Sequence, residues 1–228
     1  MQCKDNNRCF HPNWVIKNLL RFSVTNPEPT LGYGLLYNWY AATDVRGVAP
    51  DGFRVPLESD FIPLLSIDRV DLKSTRLVSV DGQPGWNDGF EGNNITQWNA
   101  FAAGSRVSST GLYNGISFLP YNWASDISNN GFYRAYRVGS IGSYTNPREG
   151  FSIRCVSDTE PATTLVTDND GNSYSWVLIG TQYWLQQSLK TTTYNNGDSI
   201  VTDLDDAAWI ATTNGAWAYP NGDSNLPI

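Results

Sequence analysis

Apolar positions are nearly continuous across residues 31–40. Such a run reads as a buried strand or a short core helix, and periodicity leaves both open. Residues 54–65 read as a short helix after a turn, with Phe61, Leu64 and Leu65 on one face. Glu58 and Asp60 fall in its first turn, where the helix dipole favours carboxylates, and Pro63 shortens it or delays its start. Residues 132–138 alternate, with Tyr133, Ala135 and Arg137 on one face, and predict a strand. Residues 151–156 alternate likewise and predict a central closing strand. Residues 165–179 read as a β-hairpin turning at Asp170-Gly171, and residues 203–210 as a short helix capped by Asp203. Glycines punctuate residues 81–115 too often for a helix or long strand, so Trp86, Phe90, Trp98, Phe101 and Tyr113 either bury their rings between them or present them outward.

These elements predict an α+β fold, loop-rich, with short antiparallel strands and two or three short helices. Residues 1–30 form a lead-in closed by the helix-breaking Asn26-Pro-Glu-Pro29, and either attach the module to something else or add an edge strand. Residues 31–156 form the main part, 157–164 a polar linker, and 165–228 a hairpin-plus-helix unit.

Composition narrows the classes. The chain has 228 residues, 40% of them hydrophobic, and its nine Trp and twelve Tyr argue against disorder. A formal charge of -7 disfavours nucleic acid and anionic lipid as partners, since both are bound through Lys and Arg. No apolar run approaches the ~20 residues of a membrane helix, so no membrane insertion is expected. Residues 14–20 are interrupted by Lys17 and Asn18, which breaks any signal-peptide core. With Met1 as the start, the expectation is synthesis in a cytosol and release by another route, inside a virus particle for example. Cys3, Cys9, Cys155 and the single His11 do not form a regular four-ligand zinc pattern. Cys3 and Cys9 either close a small loop in an oxidising compartment or stay free thiols.

Gly34-Leu-Leu-Tyr-Asn-Trp-Tyr-Ala41, Pro50-Asp-Gly-Phe-Arg-Val-Pro56, Ala103-Gly-Ser-Arg106, Trp123-Ala-Ser-Asp126 and Gly150-Phe-Ser-Ile-Arg-Cys155 together resemble the Fibrobacter succinogenes major paralogous domain. The resemblance implies an extracellular module with a C-type-lectin-like fold. Asp170-Gly-Asn-Ser-Tyr174, Ile179-Gly-Thr-Gln-Tyr-Trp184 and Ser188-Leu-Lys-Thr-Thr192 look like the same family's opening block, which here comes last. Residues 165–228 then fold back onto residues 31–156, the favoured reading, complete a neighbouring copy, or form an incomplete second copy that does not pack on the first. Folding back predicts that Leu31 and Asn225 lie close together. The family often pairs the closing-strand cysteine with one at the position of Ala49, so Cys155 is expected to lack that disulfide.

Candidate chemistry is sparse. Trp86-Asn-Asp88 spells the calcium-binding triplet of sugar-binding C-type lectins, but lacks its upstream partner and reads as a turn at Asp88-Gly89. Asp168-Asn-Asp-Gly-Asn172 departs from the calcium-loop spacing and reads as a hairpin turn. No nucleophile elbow or phosphate-cradling loop occurs, and nothing singles out an acid pair. No enzymatic activity, cofactor or metal site is expected. The recognition candidates are Trp98, Asn99, Tyr113, Asn114, Tyr121, Asn122, Asn129, Asn130, Tyr133, Tyr144 and Asn146, because Tyr and Asn among Ser and Gly are the vocabulary of binding loops. The expected function is recognition or adhesion. The protein would sit on a virion, as a tail, fibre or decoration protein, and contact a bacterial cell-surface protein or glycan. Residues 1–30 would join other virion proteins, and a homo-oligomer is open. A secreted bacterial surface adhesin and a purely structural virion joining protein are the alternatives.

Overall fold

The computed structural model describes residues 32–77, 84–144 and 146–228. The lead-in, with Cys3, Cys9 and His11, lies outside the described residues, as does Leu31.

The apolar run resolves into both of its readings. It forms a two-residue strand, β1 (Leu36–Tyr37), and then a single-turn helix, α1 (Trp39–Ala42), capped by the Asn38 side chain. Helix α2 (Glu58–Phe61) stops before Pro63, and the chain continues as a 3-10 turn over Pro63–Ser66. Proline has no amide hydrogen for the helix ladder, so the predicted 54–65 helix splits there. Helix α3 (Arg69–Leu72), capped by Asp68, is one turn long, too short to show helical periodicity in sequence.

The strands are short and antiparallel. A hairpin pairs β2 (Ser105–Arg106) with β3 (Tyr113–Asn114). A three-stranded sheet orders β4 (Tyr121–Ile127), β5 (Tyr133–Arg137) and β6 (Ser140–Tyr144) in chain sequence. In a four-stranded sheet β7 (Val156–Ser157) pairs with β10 (Gln182–Leu185), which pairs with β9 (Ser173–Ile179) and then β8 (Leu165–Thr167). The hairpin predicted at 165–179 therefore forms, with Gly171 at φ 83 in its turn. The predicted closing strand at 151–156 is not continuous. Phe151 bridges Tyr37 and Ser152 bridges Asn122, and only Val156 enters the ladder with Ser157. Helix α4 (Asp206–Ala211) begins later than predicted, with Asp205 rather than Asp203 as its cap. Asp203 has φ 55, a left-handed conformation that a helix start does not use. Four α-helices among the described residues exceed the two or three expected.

Two apolar clusters cover the faces of the β4–β5–β6 sheet. Trp123 and Ala135 join Leu35, Tyr37, Phe151, Ile153 and Leu189 on one side. Ala124 and Tyr136 join Phe61, Trp98, Val156 and Trp184 on the other. Alternation along each strand sends successive side chains to opposite clusters. Cys155 carries a free, buried thiol in the first cluster, together with Ala49.

Residues 165–228 contact residues 32–157 along a seam. Leu36 pairs with Ala218 and Tyr37 with Trp217 in β1–β11, where β11 is Trp217–Ala218. The Leu185 amide donates to Cys155 and the Leu189 amide to Ile153. The Tyr33 amide donates to the Pro227 carbonyl at 3.0 Å, and a Cβ on Gly32 would collide with the Ile228 carbonyl carbon.

Candidate functional site

The β4–β5 hairpin builds a groove. The register shifts between Trp123 and Ile127, and residues 128–131 turn the chain. The Ser128 amide donates to the Phe132 carbonyl at 2.9 Å, and the Phe132 amide donates to Ser128 Oγ at 3.1 Å. Gly131 takes φ 78, a conformation most side chains avoid. Asn129 and Asn130 are thereby left exposed at the tip.

Helix α2 supplies the opposite wall. Asp126 Oδ1 accepts from the Glu58 amide at 2.7 Å. Glu58 takes both arms of the Arg134 guanidinium, with Arg134 Nε donating to Oε2 at 2.8 Å. Hydrogen bonding to Glu58 raises the Arg134 pKa, so the guanidinium stays charged. Arg134 Nη1 also donates to Ser143. The groove is open, about 510 Å³, with Phe132 and Ile127 exposed along it. It sets amides, a carboxylate and a fixed ion pair beside two apolar side chains, so hydrogen-bonding groups and apolar surface lie side by side. A second open cleft, about 400 Å³, lies beside Arg46, whose guanidinium is held by Asp44 and Asp198.

Of the sequence candidates, Asn129 and Asn130 line the groove. Three others correct the expectation. Trp98 is 0% exposed, edge-on to Tyr136 and Trp184 in the core. Asn99 turns inward to exchange hydrogen bonds with Asn94. Asn122 is buried within β4, where it bridges Ser152. Loop 94–99 folds inward because Asn94, Gln97 and Asn99 all take positive φ and the buried Arg154 guanidinium collects the carbonyls of Trp98 and Asn99.

Tyr121, Tyr133 and Tyr144 share one sheet face, half-buried against Phe151 and Trp39. Burial first, then Tyr121, pushes the Tyr144 phenol well above its usual range. Tyr113 and Asn114 lie apart on the β2–β3 hairpin, and Tyr113 stacks at Arg106. Asn146 accepts from the Arg148 amide in a turn. Glu58, Asp126, Phe132 and Arg134 went unrecognised as site residues. Glu58 and Arg134 are 76 positions apart, so no local pattern links them.

The two calcium-like stretches are turns. The Trp86 indole is buried and donates to Ala100, and the Phe90 amide closes a turn on Asn87. Asp168 accepts from the amides of Asp170 and Asn172 and from the Tyr174 hydroxyl. Among the described residues, no three His, Cys, Asp or Glu side chains gather as a metal ion would require.

Fold and groove define a strand-rich α+β domain that carries Asn129 and Asn130 on an exposed hairpin turn. The family model for the Fibrobacter succinogenes major domain matches residues 18–157, more than half of the chain, and the chain belongs to that family. No curated protein and no solved structure matches it.

Proposed function

We propose that the protein is a non-enzymatic recognition module with a C-type-lectin-like fold, whose β4–β5 groove grips a glycan or protein on a bacterial surface. The groove carries this reading: Phe132 stands exposed beside Asn129, Asn130 and Asp126, while the Glu58–Arg134 pair fixes the wall behind them. An exposed ring offers flat apolar contact, and neighbouring amides and carboxylates read hydroxyls or backbone groups. The α+β architecture and family membership support the lectin-like reading of the fold. In this proposal the module is displayed on a virus particle or on a bacterial surface, and neighbouring capsid and tail genes, or secretion genes, separate the two.

Glycan-array and whole-cell binding test the proposal, with wild-type protein and Phe132→Ala/Asn130→Ala side by side. The expected result is binding by the wild type and at least tenfold weaker binding by the variant, with unchanged circular dichroism. Wild-type binding that the variant retains would place the site elsewhere. No binding by the wild type to any glycan or host cell would overturn the proposal.

A further inference from the structure

The pairing of Ile127 with Tyr133 decides which side chains share the groove. Antiparallel register from that pair sets Asp126 opposite Arg134 and Ser128 opposite Phe132. Strand alternation then turns positions 126, 128, 132 and 134 to one face. The register shift between Trp123 and Ile127 brings this about, because an extra residue in one strand re-aims those that follow. On the register that holds between Trp123 and Ala135, Arg134 would lie opposite Ala124 and Asp126 would have no place beside it.

The charges on this face have one sign to offer. Glu58, Asp126 and Arg134 are the charged side chains of the lining, two carboxylates against one guanidinium. Arg134 is already spent, with both arms on Glu58 and Nη1 on Ser143, so the lining keeps no free cation for an anionic ligand. Among the described residues Asp126 accepts only the Glu58 amide, on Oδ1 at 2.7 Å. Its Oδ2 therefore keeps its acceptor capacity. The exposed Asn129 and Asn130 add side-chain carbonyls. The Phe132 ring, 37% exposed, adds the electron-rich face that attracts cations. A free carboxylate, amide oxygens and an aromatic face around one groove select a cation that also donates hydrogen bonds.

We infer that the ligand of this groove is an amino sugar with a free, protonated amine, an inference that rests on the recognition role proposed above. The ammonium pairs with Asp126 Oδ2 against the Phe132 ring, and the sugar hydroxyls meet Ser128, Asn129 and Asn130. The spread of polar groups favours a sugar over a lysine side chain. Three polar side chains flank the carboxylate, and a lone ammonium on an apolar stem has nothing to offer them. N-acetylation of the amine removes the charge that Asp126 would pair with. A phosphate, sulfate or carboxylate on the ligand would meet Asp126 as a like charge.

The test is calorimetric titration of the full chain with a short chitosan oligomer, its N-acetylated counterpart and oligolysine, at about pH 6, where amines are protonated. The proteins are wild type, Asp126→Asn, Phe132→Leu and Asp203→Asn. Asp126→Asn keeps a side-chain oxygen for the Glu58 amide, and Phe132→Leu removes the aromatic face without touching the carboxylate. Asp203 is exposed and outside the groove lining, so its variant removes the same charge elsewhere. Wild type is expected to bind the chitosan oligomer at least tenfold more tightly than either other probe. Asp126→Asn should lose at least tenfold and Phe132→Leu at least threefold, with circular dichroism unchanged and Asp203→Asn binding like wild type. Equal losses in Asp126→Asn and Asp203→Asn would overturn the inference, by reducing the attraction to overall charge. So would no binding of the chitosan oligomer, or equal or tighter binding of the acetylated oligomer or oligolysine. The recognition reading would survive those results if other glycans or cells still bound wild type and not Phe132→Ala/Asn130→Ala.

Discussion

The Arg106 guanidinium lies 4.4 Å from the centre of the Trp209 ring, and the two side chains come from opposite sides of the seam. Arg106 also donates to the carbonyls of Gly111 and Leu204, both at 2.8 Å, and Tyr113 contributes a second ring at 5.1 Å. The Trp209 indole donates to the Arg148 carbonyl at 2.7 Å. Gly150 makes room for the pair, since a Cβ there would lie 2.8 Å from the Arg106 Cβ. Trp209→Ala is expected to lower stability by about 3–5 kcal/mol, the usual cost of removing a buried aromatic. Urea unfolding checks it. A loss under about 1 kcal/mol would mean the seam does not depend on this stack.

Asp60 ties the same halves together through charge. Burial alone would raise its carboxyl, but hydrogen bonds from Arg54, Gln182 and the Leu57 amide outweigh it and hold the pKa below the usual value. A lowered carboxyl contributes stability above its unfolded pKa of about 3.9, and that contribution is lost as pH falls through the lower folded value. Stability is therefore expected to decline below about pH 4. Asp60→Asn should flatten that acid limb while lowering stability at pH 7. Melting curves at pH 7 and in acid compare the two proteins.

Arg154 is 2% exposed, lies over the Trp98 ring at 4.7 Å and bonds to the carbonyls of Trp98 and Asn99. Burial pushes its pKa down to about 9. Arg154→Met would spare the buried charge but strand those carbonyls, at about 1–3 kcal/mol for each group left unpaired. The carbonyl loss should dominate locally, because three residues of loop 94–99 sit at positive φ and need the grip. Hydrogen exchange across 94–99 is expected to accelerate at least tenfold, with β4 and β5 little changed.

Tyr33 bonds to Pro227, so the described chain closes on itself. A permuted chain running 165–228 and then 32–157 is expected to fold to the same circular dichroism spectrum, with a melting temperature within about 10 °C of the parent. A change of 1 kcal/mol shifts a domain this size by about 2–4 °C. Failure to fold would show that 158–164 or the lead-in is required.

Local signals were legible where the chemistry was local. Asp170-Gly171 marked a hairpin, and Pro63 marked a break in the helix of residues 54–65, although not on which side of it the helix would lie. Trp98 misled because Asn and Gln surround it, while its burial depends on Arg154, 56 positions away. Asn129 and Asn130 were candidates because Asn among Ser and Gly is the vocabulary of binding loops, and both line the groove. The wall behind them could not be read, since Glu58 and Arg134 meet only through tertiary folding.

The ladder joining β1 to β11 also has a consequence during synthesis. Leu35, Leu36 and Tyr37 are fully covered, yet their partners at Leu189, Trp217 and Ala218 emerge from the ribosome some 150 residues or more afterwards. The nascent chain thus carries an uncovered greasy stretch until residues 189–218 have been made, and native closure waits for them. Holding chaperones should meet this polypeptide at that early stretch, before its sealing strand exists.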